Sequence, residues 1–278
     1  MNSFNKLHPE IIHTHILSRL DGTTLTVLSS VSSEFRDMIS NNHQLWKNIC
    51  TTTWPYLRHW NLTHVISTFP CGYRSFFSDA FPSLHHQSQC IDLPPAKDLI
   101  CAIDMYFQGE PHPFFTSVQS QLTGKTFHTL NANYPYTDPE NYFEFYLFGL
   151  IYQEKEEGLK DYFQENFRLN WILIDPTRKR AGSLFRSCCK PVSVEQTLTT
   201  TVMVYETLML GLPAISTEMV KCRVKVTCCW KRRRYWLNVV FSVVFVMEDM
   251  NGKHVPKKNA NIILRNAIHN GERKKFHL

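Results

Sequence analysis

The sequence predicts an α+β fold: a small N-terminal unit of three helices, then a mainly antiparallel β domain, built as a sandwich or a strongly curved sheet, with a C-terminal helix. Three stretches support this prediction. Apolar residues recur at helical spacing over residues 9–46. Apolar and polar residues alternate over residues 220–227, which is typical of a strand with one buried face. Helical spacing returns over residues 259–269, shortly before a glycine.

Composition favours a folded protein that stays inside the cell. The chain has 278 residues, 43% of them hydrophobic, which is enough for a sizeable core. Its first residues lack the features of a secretory signal, and no run reaches the roughly 18 apolar residues of a membrane span. Nine cysteines form an odd set, which indicates free thiols in a reducing compartment. We therefore expect a protein of the nucleus, the cytoplasm or both, with no membrane partner.

Charge is distributed unevenly along the chain. The formal net charge is +6. From residue 218 to the end there are fourteen Lys and Arg against four Asp and Glu, whereas residues 1–217 hold sixteen against twenty. The basic character therefore belongs to the C-terminal fifth of the chain.

The N-terminal stretch contains three short amphipathic helices. Pro9 suits a first helical turn, and the apolar stripe that follows ends at Asp21-Gly22. Thr23 or Thr24 can cap the second helix, and Ser32 or Ser33 can cap the third. Three helices of this size expose more apolar surface than they can bury against each other. We expect another surface to cover the remainder.

This pattern resembles the F-box. The matching residues are Leu7-x-Pro9-Glu10-Ile11-Ile12, Ile16-Leu17-x-x-Leu20, Leu25, Leu28, Val31-Ser32-x-x-Phe35-Arg36 and Leu45-Trp46. Most F-boxes place the proline directly after the first leucine, whereas here His8 intervenes. The resemblance implies docking on the Skp adaptor of a cullin-based ubiquitin ligase. It assigns the following residues to the F-box, some to its own core and some to the adaptor: Leu7, Pro9, Ile12, Ile16, Leu17, Leu20, Leu25, Leu28, Val31, Phe35, Leu45 and Trp46.

A wider resemblance covers most of the chain. The segments "LICAIDMYFQG", "WILIDPTRKRAGSLF", "KPVSVEQT" and "MNGKHVPKKNANIILRNAI" resemble the C-terminal region of a plant group of F-box proteins that includes the cytokinin-induced F-box type. The group shares the displaced proline. We therefore divide the chain into an F-box at 5–50, a connector of short helices and turns at 51–92, and a β-rich domain at 93–278 that recognises an unknown protein substrate.

Within the β domain, short apolar runs bounded by turn residues mark the strands. "LICAIDMYFQG" and "NWILIDP" are two of them. The alternating strand at 220–227 leads into a charged turn predicted at Lys231–Arg234, and "YWLNVVFSVVFVM" returns as the next strand. Asn251-Gly252 predicts the tight turn that follows it.

Motifs of the common enzyme classes are missing from the sequence. There is no G-x-S-x-G, H-E-x-x-H or G-x-x-x-x-G-K-[ST], and no G-x-G-x-x-G between a strand and a helix. His13 and His15 point about 200° apart on a helix, and "HHQSQC" has no partner pair of ligands. We predict a non-catalytic subunit of a ligase complex, without cofactor or metal.

The alternative function is a nucleic-acid or phosphate-binding module that uses the basic hairpin at 221–236. Its candidate ligand patch consists of Arg178, Lys179, Arg180, Lys231, Arg232, Arg233 and Arg234, and Trp230, Tyr235 and Trp236 could stack on bases. A solvated hairpin turn or a nuclear import signal is the favoured interpretation of this charge run. An acidic or phosphorylated target segment is a further candidate ligand if the two halves of the patch adjoin.

Overall fold

The structure is a computed structural model that describes residues 8–58, 60–81, 84, 99–107, 115–120, 143–152, 159–185, 189–198, 200–212, 218–233 and 236–271. The chain begins with helices and continues as two antiparallel sheets, with a helix at the C-terminal end. This is the predicted α+β architecture, and the two sheets make it a sandwich.

Within the described residues, six helices form the N-terminal layer. The first, α1, is α-helical at Pro9–Ile11, π-helical at Ile12–Ile16 and 3-10 at Leu17–Arg19. The others are α2 (Gly22–Val31), α3 (Ser33–Ser40), α4 (His43–Thr53), α5 (Trp60–Ser67) and α6 (Tyr73–Ala80), with a 3-10 turn at Pro55–Arg58.

Nine strands form the two sheets within the described residues. Their bounds are β1 Ile100–Phe107, β2 Phe115–Ser120, β3 Phe143–Tyr152, β4 Phe167–Asp175, β5 Arg180–Ser183, β6 Ser193–Gln196, β7 Thr200–Leu210, β8 Met219–Arg233 and β9 Trp236–Asp249. Sheet I has the order β2-β1-β4-β5, and sheet II has the order β3-β9-β8-β7-β6. All of these pairs are antiparallel.

Strands β1 and β4 of sheet I carry buried side chains on both faces. Towards sheet II, sheet I presents residues such as Ile103 and Trp171, and the Trp171 and Phe245 rings lie 5.8 Å apart between the sheets. On its other face, Ile172 and Ile174 belong to a second hydrophobic core that includes the N-terminal helices. The molecule therefore has three layers, in which the helices lie on sheet I and sheet I lies on sheet II. This second core covers part of the apolar surplus of the first helices.

Two further helices pack on the sandwich. Helix α7 (Leu159–Asn166) contacts β4, β6 and β7, and its Phe163 is buried between the sheets. Helix α8 (Lys257–Asn270) contacts β4, β5 and β7. This C-terminal helix agrees with the helical spacing predicted at 259–269, and Gly271 follows its last residue.

Three local predictions are corrected by the structure. The cap of α2 is Asp21, whose carboxylate accepts a hydrogen bond from the Thr24 backbone N–H, because an Asp is a better cap than the threonines after it. A fourth helix, α4, carries Leu45 and Trp46, and Asn42 caps it. The basic run 231–233 is not a turn: it extends β8, whose backbone pairs with β9 as far as Arg233.

Candidate functional site

The residues predicted for the F-box separate by burial into distinct groups. The fully buried group faces the core shared with sheet I and consists of Ile12, Leu17, Leu25, Leu45 and Trp46. Trp46 is fixed from two sides, since its indole N–H donates to the Ile39 carbonyl at 2.9 Å and its ring lies 5.4 Å from that of Phe77. These side chains hold the helical layer together.

A second group is partly exposed and packs against the periphery of the same core. It consists of Ile16, Leu20, Leu28 and Phe35. Val31 differs from all of them, because 69% of it is exposed. Leu7 lies outside the described residues, and for Pro9 the structure describes the backbone alone. The sequence prediction therefore combined residues that hold the fold with one residue that is free to meet a partner.

Helix α2 presents apolar side chains on two opposite sides. Leu25 is fully buried, and Gly22 on the same side lies against Phe77. Val27 is 61% exposed and lies one turn before Val31, so the two valines form a stripe facing away from the core. An aliphatic stripe in water is unfavourable by about 25 cal/mol per Å² relative to burial.

Two exposed apolar residues were missed by the sequence prediction of the site: Val27 and Ile11, the latter 44% exposed on α1. The family motif does not mark Val27, yet the signal was present. On a helix Val27 points about 200° away from Leu25, and Val31, one turn later, lies on the same side as Val27. Since only one of the two sides packs on the core, the apolar residues on the other side are available to bind a partner protein.

One histidine of α1 makes a contact inside the helical layer. His13 Nδ1 and Asn42 Nδ2 are 3.2 Å apart, so His13 links α1 to the residue that caps α4. Within the part of the chain that the structure describes, no group of three or more His, Cys, Asp or Glu side chains could hold a metal ion. None of the described helices is long and apolar enough to cross a membrane.

The basic residues predicted at 178–180 are largely engaged inside the protein. Arg178 Nη1 lies 3.1 Å from the Asp175 carboxylate, and Arg180 Nε lies 3.0 Å from the carboxylate of Asp79 on α6. Lys179, between them, is exposed in the turn from β4 to β5. Two of the three cations are therefore structural ion-pair partners.

The other half of the predicted basic patch lies in sheet II. The backbone of residues 231–233 pairs with residues 236–238 at the end of the β8–β9 hairpin, and Arg234 lies outside the described residues. The two halves of the predicted patch, 178–180 and 231–233, therefore lie at different sheets. Binding of a single ligand by both halves stays a prediction.

An ion network crosses sheet II near the start of β8. Arg223 donates to Glu206 on β7 at 2.8 Å and to Glu248 on β9 at 2.7 Å. The hydrogen bond with Glu206 is the main cause that raises the pKa of Arg223. Lys221 lies 3.7 Å from the same glutamate. The network ties three neighbouring strands together.

Buried thiols occur in both cores. Burial raises the pKa of Cys101 from 9.0 to about 12, and it also raises the pKa values of Cys50 and Cys222. Such thiols stay protonated at neutral pH and are poor nucleophiles. They are packing residues.

Comparison with known proteins agrees with the helical layer. A protein-family model described as F-box-like matches residues 9–52, which cover α1 to α4 almost completely. F-box protein At3g44326 of Arabidopsis thaliana is 32% identical over 280 residues, covering 98% of this chain and 75% of the relative. The chain belongs to the F-box protein family.

Two more relatives from Arabidopsis thaliana support this membership. F-box protein At2g27310 is 36% identical over 189 residues, which are 66% of this chain and 54% of the relative. Probable F-box protein At2g36090 is 29% identical over 264 residues, with 94% of this chain and 74% of the relative covered. The chain thus spans about half of the first of these and about three quarters of the second. No solved structure matches the chain. The plant F-box assignment is confirmed, and membership in the cytokinin-induced group stays a prediction.

Proposed function

We propose that this protein is the substrate-recognition subunit of a Skp-cullin-F-box ubiquitin ligase. The helical layer binds a Skp-type adaptor, the adaptor connects it to a cullin, and the β domain binds a target protein. Membership in the F-box family supports this proposal. The single observation that carries it is the exposed stripe of Val27 and Val31 on a helix whose other side is buried.

The exposed stripe suits a stable hydrophobic interface. Its two valines are β-branched and held on one rigid helix, so little side-chain entropy is lost when a partner covers them. Ile11, on the preceding helix α1, is a further exposed aliphatic side chain of the helical layer. Interfaces of lasting complexes have apolar centres of this kind.

In the proposed role the protein contributes proximity rather than bond chemistry. A bound target is held beside the conjugating enzyme of the complex, which raises the effective concentration of the target lysines. The adaptor-binding helices and the β domain are joined directly, because the helices share a core with sheet I. The same role places the protein inside the cell, in the nucleus, the cytoplasm or both.

The test is co-purification of the full chain with a plant Skp adaptor. The variant Val27→Asp/Val31→Asp places two charges on the exposed stripe, and we expect it to keep its fold and lose the adaptor. The matched control is Val192→Asp/Leu198→Asp, which changes two exposed apolar residues near β6, 58% and 95% exposed. We expect the control to bind the adaptor normally.

Circular dichroism and thermal unfolding of both variants exclude misfolding as the cause of lost binding. Adaptor binding that survives in a folded Val27→Asp/Val31→Asp variant would contradict the proposed interface. A wild-type chain that is folded and binds no adaptor would overturn the proposed function itself.

A further inference from the structure

The outer face of sheet II, which points away from sheet I, carries several charged side chains. Strand β8 buries every second residue from Val220 to Cys228 against sheet I and presents the residues between them on the outer face. Near the start of β8, Arg223 bridges the carboxylates of Glu206 and Glu248, and Lys221 lies beside Glu206. These four charges neutralise one another.

Two other charged side chains on this face form no ion pair with any residue that the structure describes. Lys225 on β8 is exposed and lies opposite Val204 on β7. Glu195 on β6 is exposed and lies opposite Val202 on β7. Residues that pair directly across strands share a face, so these four side chains all lie on the outer face. Since β7 runs between β6 and β8, the two partly exposed valines separate a cation from an anion.

We propose that this surface, the β6–β8 patch (Glu195, Val202, Val204 and Lys225), binds a second copy of the same chain in a symmetric dimer. The midpoint between Lys225 and Glu195, whose Cα atoms are roughly 12 Å apart by strand spacing, falls on β7 between the two valines. A two-fold axis through this point, lying between two facing sheets, brings each Lys225 over the Glu195 of the second copy. The valines of the two copies then meet at the axis. The patch is therefore self-complementary, as a symmetric dimer interface must be.

A second copy suits the patch better than a partner that is selected by one sign of charge. The described patch holds one cation and one anion, so an acidic partner would meet Glu195 and a basic partner would meet Lys225. The second copy matches both charges at once. The exposed side of an antiparallel sheet usually carries polar residues, whereas β7 presents Val202 and Val204 there. The dimer covers these two valines.

The dimer goes beyond the proposed function and does not depend on it. Sheet I lies between the helical layer and sheet II, so the β6–β8 patch and the exposed stripe of Val27 and Val31 lie on different sides of the molecule. Both adaptor-binding stripes therefore stay open in the dimer. The interface is small, because β6 is the last strand of its sheet. We expect a weak dimer with a dissociation constant of about 10–100 μM.

The experiment is sedimentation equilibrium of the full chain at a series of concentrations. We expect the wild type to dimerise, and more weakly as salt is raised. Lys225→Glu makes two glutamates face each other across the interface, and Glu195→Lys makes two lysines do so. Each variant alone should therefore self-associate more weakly than the wild type by about tenfold or more. An equimolar mixture of the two variants should dimerise again, because every contact of the mixed pair then joins opposite charges.

The matched control is Lys253→Glu, which reverses an exposed charge in the turn after β9 and should dimerise as the wild type does. Circular dichroism checks that all variants are folded. A wild type that stays monomeric at about 500 μM would overturn the proposal. So would single variants that dimerise like the wild type, a control that dimerises as weakly as Lys225→Glu, or a mixture that stays monomeric. Adaptor binding is measured separately, so failure of the dimer leaves the proposed function standing.

Discussion

Arg180 and Asp79, which are 101 positions apart in the sequence, form a buried ion pair that joins the helical layer to the β domain. The carboxylate of Asp79 on α6 is fully buried and also accepts a hydrogen bond from the Ala181 backbone N–H at 3.2 Å. The guanidinium of Arg180 donates at the same time to the carbonyls of His269 and Gly271. One side chain thus holds α6, β5 and the end of α8.

Arg180→Ala should lower the free energy of unfolding by roughly 3–5 kcal/mol, because it leaves the buried carboxylate of Asp79 without its cation. The measurement is urea denaturation followed by circular dichroism. Lys190→Ala is the control, since its ion pair with Glu165 is more than half exposed and is worth about 1 kcal/mol or less. Equal losses in the two variants would contradict a structural role for the buried pair.

Gly22→Ala tests the close approach of α2 to α6. A Cβ at position 22 would overlap the ring of Phe77, so the ring or the helix must shift to admit it. We expect a loss of about 1–3 kcal/mol in unfolding free energy, the usual range for overpacking. Phe77→Leu makes room, so the double variant should lose less than the sum of the single losses. Additive losses would show that the clash is relieved elsewhere.

Much of the fold could be predicted because its signals are local. The alternation at 220–227 locates β8, since one face of that strand is buried and the other is not. Helical spacing likewise predicted α8, and Ser32 capped α3 as expected. The turn predicted at 231–233 was wrong, because charged residues also occur in strands that have one face exposed to solvent.

The arrangement of the layers could not be predicted, because it depends on contacts between distant residues. The Tyr56 backbone N–H, in the 3-10 turn after α4, donates to the carboxylate of Asp104 on β1 at 3.3 Å. Nothing local to either residue signals this bond. For the same reason the sequence did not separate Leu17, which is buried, from Val31, which is exposed.

A chain that lacks residues 1–50 should be poorly folded rather than a clean β domain. The deletion removes Trp46 and Ile49 from the core on sheet I and uncovers Phe76 and Phe77. We expect the truncated chain to bind the dye ANS and to melt without a sharp transition. A cooperative transition near that of the full chain would show that sheet I is stable without its helical cover.

Stability should fall at alkaline pH because the buried thiols resist ionisation in the folded state. Burial raises the pKa of Cys101 from 9.0 to about 12, so the folded state holds its proton where the unfolded state loses it. The resulting stability is fully present below pH 9 and is lost as pH rises towards 12, by about 1.4 kcal/mol per pH unit for each such group. Cys101→Ala should make the decline between pH 9 and 12 less steep, whereas Cys71→Ala, which changes an exposed thiol, should leave it unchanged. Urea denaturation at a series of pH values measures both slopes, and identical slopes for the two variants would contradict the assignment to Cys101.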